Sequence, residues 1–161
     1  MKKISLILIL FFTAINPANS LIEVDITRGN LDPLPIAVSP LHVDIKSESV
    51  QGIKVKDLGS NISKIIEKNF KNTGLFNPLK KDAFVQKPDI AHLKPRFEDW
   101  KLIKAQALVT GKLIIKNEKL KIEFRLWDLT AGKEMTALAF TTTPSNWRRV
   151  AHIISDKIYE R

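Results

Sequence analysis

With 161 residues, 44% of them apolar, the chain is long enough to bury a core of its own and short enough to be one domain. It contains no cysteine, which leaves no residue for a disulfide, a thiolate metal ligand or a lipoprotein's acylated anchor. Twenty-six Lys and Arg against 17 Asp and Glu give a formal charge of +9; these residues are spread along the chain without the aromatic stacking motifs of RRM or KH modules, so nucleic acid is not an expected partner.

Met1-Lys-Lys3, the apolar run from Ile4 to Ile15, and Asn16-Pro-Ala-Asn-Ser20 have the basic start, apolar middle and small-residue end of a secretory signal. Cleavage is expected between Ser20 and Leu21. The apolar run is shorter than the roughly 20 residues that a spanning helix needs, so no stable membrane insertion is expected once it is removed. Loss of residues 1–20 takes away two lysines and no acid, leaving an exported domain over residues 21–161 with a charge of +7.

Next, Leu21, Ile22, Glu23, Val24, Asp25, Ile26 and Thr27 alternate, with Ile22, Val24 and Ile26 on one side, which predicts a half-buried strand. Arg28, Gly29, Asn30, Leu31, Asp32 and Pro33 have the composition of a turn. The compact run Pro35–Ser39 suits a central strand, and residues 42–57 read as a polar loop. A helix is expected from Asp57 or Ser60 to Asn72, with Ile62, Ile65, Ile66 and Phe70 on one face and Gly74 as its C-cap. Leu75–Leu79 reads as a short edge segment and Lys80–Pro95 as a basic loop. A second helix is expected at Phe97–Lys104, with Phe97 and Trp100 inward and Glu98 and Asp99 in its first turn.

Three strands are expected near Ala107–Lys116, Leu120–Leu126 and Met135–Thr142, joined by hairpins at Asn117-Glu118 and Thr130-Ala-Gly132. Trp127 falls on the polar phase of the middle strand, which suits either packing under a helix or a docking surface. Trp147, Val150, Ala151, Ile154 and Ile158 make the apolar stripe of a closing helix, and Ser145 is its expected N-cap. The sum is an α+β fold, a mixed sheet with helices packed on one face.

The chemistry is sparse. His42, His92 and His152 are far apart in sequence and have no metal-ligand partner at helical spacing. There is no nucleophile elbow and no phosphate-binding glycine loop, and the paired Glu98 and Asp99 suit a helix start better than acid–base work. No catalytic residue, metal or cofactor is expected.

Four stretches carry a resemblance. Leu58-Gly59 with Ile62, Ile66, Phe70, Gly74-Leu-Phe76 and Pro78-Leu79, then Phe97–Gly111, Phe124-Arg-Leu-Trp-Asp128 and the closing helix Trp147–Arg161, together resemble the N-terminal domain of the TolB family of the Tol-Pal envelope system. The resemblance runs in order from about Leu21 to Arg161. It implies the same α+β arrangement as a mixed five-stranded sheet with helices packed on one face, in a periplasmic, non-enzymatic binding domain that serves envelope integrity, protein import and cell division. It further implies that the stretch from Leu21 to Pro33 engages the C-terminal domain of TolA. In that family a β-propeller follows and carries most of the binding to the lipoprotein Pal; the present chain is expected to lack both. A secreted basic domain that binds nucleic acid or anionic surface polymers is the alternative.

Overall fold

The computed structural model describes residues 32–44, 49–50 and 52–161. Its main sheet holds strands β1 (Leu34–Val38), β2 (His42–Asp44), β5 (Phe76–Pro78), β6 (Ala107–Lys116), β7 (Lys119–Asp128) and β8 (Lys133–Thr142); a separate two-stranded ribbon pairs β3 (Ser49–Val50) with β4 (Ile53–Lys54). The order is β5-β1-β6-β7-β8, with β2 also paired to β6. Strands β5, β1, β2 and β6 run parallel, whereas β6, β7 and β8 are antiparallel. The sheet is thus mixed, and β1 and β2 are two stretches of one line along β6.

That line is broken at Ser39-Pro40-Leu41. Val38 stands opposite Val109 and His42 opposite Lys112, so three residues face two, a bulge that accommodates a proline without a missing ladder bond. The polar loop expected over residues 42–57 is therefore corrected in part: β2 extends the sheet, and the β3–β4 ribbon turns at Gly52. Short polar strands of this kind lack the alternation that marks a longer one.

Parallel neighbours require crossovers, and these place the helices. Helix α1 (Val55–Thr73) connects β4 to β5; α2 (Pro88–Ala91) and α3 (Phe97–Leu102) lie between β5 and β6; α4 (Trp147–Tyr159) follows β8. Helix α1 starts earlier than its periodicity predicts, because Val55 is fully buried and anchors the first turn by packing. It ends at Gly74, whose φ of 71° is the left-handed C-cap that the sequence implies. Within the expected Lys80–Pro95 loop lie a 3-10 turn at Lys81–Ala83 and α2, and α3 stops at Leu102 before Lys104 takes a φ of 62°.

The two long helices share one face of the sheet. Leu58, Ile62, Ile66 and Phe70 of α1 and Trp147, Val150, Ala151, Ile154 and Ile158 of α4 form one apolar cluster with Ile36, Val38, Val109, Ile122 and Phe124. Alternate residues point the other way, since successive strand side chains face opposite sides. Ala37, Leu108 and Trp127 meet Trp100 and Ala91 in a smaller cluster under α2 and α3. The turn residues Asn117 and Glu118 both have positive φ, 50° and 58°, as a two-residue type I′ hairpin requires.

At the start of α4 the structure replaces Ser145 as N-cap with Asn146, which follows a 3-10 turn over Pro144–Asn146. Neither residue caps the helix with its side chain. Ser145 Oγ instead pairs with Thr143 Oγ1 at 3.1 Å, and Asn146 Nδ2 donates to the same hydroxyl at 3.1 Å.

Candidate functional site

Of the residues singled out from sequence for partner binding, Leu21 to Leu31 lie outside the described residues. The expected signal segment and its cleavage point lie there too. Asp32 and Pro33 are described and exposed, and they lead directly into β1. The Leu34 N–H donates to the Leu75 carbonyl at 2.8 Å, so the chain is tied to the sheet from Leu34 onward. Among the described residues strand β1 has β5 on one side and β6 on the other.

Both tryptophans in question are structural. Trp100 is fully buried, its Nε1–H donating to Gln86 Oε1 at 3.0 Å, and that oxygen also accepts the Arg96 N–H at 2.9 Å. Trp127 packs edge-on to Phe97 of α3, with ring centroids 5.9 Å apart, and donates Nε1–H to Thr110 Oγ1 at 2.9 Å. It fills the far face under a helix and is closed to a partner. Glu98 and Asp99 are held by Lys101 and Arg96 at 3.0 and 2.6 Å, one turn away on the same helix or at its start.

Two arrangements were not visible in the sequence. His42 and His92, far apart along the chain, stack with centroids 4.4 Å apart and rings within 4° of parallel. His92 lines an open cleft of about 220 Å³ on the β6–β8 face, where Lys112 and Glu123 approach to 3.5 Å and Arg125 pairs with Glu134 at 3.2 Å. Arg125 also donates to the His92 carbonyl at 3.0 Å. Among the described residues no group of three or more His, Asp or Glu is placed to hold a metal ion. The cleft's charges are internally compensated and it presents no nucleophile beside a base.

Burial lowers the His92 pKa below the usual imidazole value; a hydrogen bond from Nδ1–H to the Pro88 carbonyl at 3.0 Å opposes this, and His42, Lys112 and Arg125 add to it. A histidine depressed in the folded state supplies stability above its unfolded pKa of about 6.5 and loses it as the pH falls through the lower, folded value. The urea midpoint is therefore expected to drop on acidification from neutrality to pH 5, and to drop less in His92→Gln. An identical pH dependence in both proteins would show that the stack is energetically silent.

The second arrangement is a groove of about 490 Å³ between α1 and β5, rimmed by lysines. No helix among the described residues is long and apolar enough to cross a membrane.

Comparison with known proteins points one way. A family model described as the TolB amino-terminal domain matches residues 22–135. The Tol-Pal system protein TolB of Pelagibacter ubique (strain HTCC1062) is 66% identical over 155 residues, which is 95% of this chain. The chain spans 35% of that relative's length. Among solved structures, TolB from Acinetobacter baumannii superposes with a TM-score of 0.62 at 19% identity, covering 80% of this chain and 28% of that one. The LpoB C-terminal domain from Escherichia coli gives 0.50 at 8% identity, over 71% of this chain and 86% of that one. At these identities the structural matches speak for the fold alone.

Proposed function

The chain belongs to the TolB amino-terminal domain family, and on that premise we propose that it is a periplasmic, non-enzymatic protein-binding domain of the Tol-Pal system that engages the C-terminal domain of TolA through residues 21–33. The supporting observation is the alternation of Ile22, Val24 and Ile26 ahead of a strand that is already paired on both sides. A strand formed by residues 21–27 would offer its ladder groups and apolar side chains to the exposed edge of another sheet. A terminal segment joined through an exposed Asp32-Pro33 costs little to release. Backbone hydrogen bonds supply affinity in such a mode, and the three aliphatic side chains supply the anchors. Through this contact the domain serves envelope integrity, protein import and cell division.

Calorimetry with purified TolA C-terminal domain tests the assignment. Ile22→Asp and Val24→Asp are each expected to weaken binding at least about tenfold, or about 1.4 kcal/mol. Lys119→Ala, on the β6–β7 hairpin, is expected to leave it unchanged. Wild-type affinity in both aspartate variants would refute the segment as the site.

A further inference from the structure

Along α1, Lys64, Lys68 and Lys71 recur at i, i+4 and i+7, which places them in a row on one helix face. Lys80 and Lys81 approach the same groove from the segment after β5, and Glu67 is the one acid among the residues that line it. Lys81 is committed internally: its Nζ lies 3.0 Å from Glu67 Oε1 and donates to Ser63 Oγ at 2.9 Å. Lys64, Lys68, Lys71 and Lys80 are exposed and make no ion pair among the described residues. Half-buried Phe76, Pro78 and Leu79 line the groove between the two rows of charge. From this juxtaposition we infer that the groove docks a short acidic segment of a protein partner, with its carboxylates on the α1 lysines and an apolar side chain against Phe76 and Pro78.

Three features select this occupant. The distance from Lys64 to Lys71 along the helix is about 10 Å at 1.5 Å per residue, and about three residues of extended chain cover it at 3.3 Å each. A few consecutive or alternating Asp and Glu therefore match the row. A flat anionic bilayer would meet the rim and leave the apolar lining of a concave site unfilled. Stacked nucleic-acid bases would need an open aromatic face, and Phe76 already packs on Phe70 with centroids 4.7 Å apart. Among the described residues strand β5 pairs only with β1, and its residues line the same groove. The inference does not depend on TolA or on residues 21–33.

Fluorescence anisotropy with the intact protein and a fluorescein-labelled polyglutamate peptide interrupted by one phenylalanine tests it. The expected result is saturable binding that falls at least about tenfold in Lys64→Glu/Lys68→Glu and less than about twofold in Lys116→Glu/Lys119→Glu, a double reversal of equal charge on the β6–β7 hairpin. Lys64→Gln/Lys68→Gln should show an intermediate loss, and because these side chains are exposed all variants should keep the wild-type urea midpoint within the effect of surface charge. The all-glutamine version of the peptide should not bind. No binding of the glutamate peptide, an equal loss from the hairpin reversal, or its displacement by phosphatidylglycerol vesicles or a single-stranded oligonucleotide at lower concentration than by unlabelled peptide would overturn the inference.

Discussion

Trp147→Ala is expected to destabilise the domain by about 3–5 kcal/mol, the range for emptying a large aromatic site in a packed core. Trp147 is 5% exposed and opens α4, where its ring joins the main cluster with Val150, Ala151 and Ile154. Its loss removes apolar burial and leaves a void beneath the first turn of the helix, with Pro144 and the 3-10 turn holding the chain in place around it. Arg148 stacks its guanidinium 4.3 Å from the same ring but is itself exposed, so Arg148→Ala is expected to cost less than about 1 kcal/mol. Urea denaturation of both variants distinguishes them. Equal, small shifts of the midpoint would show that the α4 stripe is not core.

Gly59→Ala is expected to be destabilising by about 3 kcal/mol, opposite in sign to the usual gain of about 1 kcal/mol for this exchange inside a helix. Gly59 sits in the first half of α1, where a Cβ would overlap the Leu41 carbonyl and press on Val43 Cγ2. The Leu41 N–H in turn donates to the Gly59 carbonyl at 3.3 Å. The helix backbone thus rests directly on the bulge between β1 and β2, and any side chain must push the two apart. The thermal midpoint of Gly59→Ala, read beside an exposed helix control such as Asn72→Ala, checks this; stabilisation by the glycine replacement would show that the contact is loose.

Long periodic elements were legible in the sequence because one burial pattern runs through many residues. Leu120, Ile122, Phe124 and Leu126 alternate cleanly, and all four are buried on the helix side of β7. The stripe of α4 and the left-handed end of α1 at Gly74 were equally direct. These elements and the family resemblance agree on the fold class, which the mixed sheet and its two long helices bear out. The second apolar cluster was harder to see. Its members are scattered among Ala37, Ala91, Trp100, Leu108 and Trp127, and no single stretch carries a period. Trp127 suits packing under a helix and a docking surface equally until α3 is laid over it.

The surface features were less legible still, for a physical reason. The His42–His92 stack joins a strand to a short helix across 50 residues of sequence, and neither histidine has a neighbour whose spacing announces the other. The lysine groove is half visible: the row on α1 follows from helical spacing, but Lys80, Lys81 and the apolar lining reach it only because β5 returns beside α1. The N-terminal segment is the reverse case. Its alternation and position are plain in the sequence, whereas the partner proposed for it is supplied by resemblance.

The central claim separates that segment from the fold, and deletion of residues 21–33 tests it most directly. Strand β1 is held by β5 and β6 from Leu34 onward, so the deleted protein is expected to retain a cooperative urea transition and native circular dichroism. In the same preparation, calorimetry with the C-terminal domain of TolA is expected to give no measurable heat of binding. A folded deletion variant that binds TolA with the affinity of the intact protein would contradict the account and place the contact on the remainder of the domain.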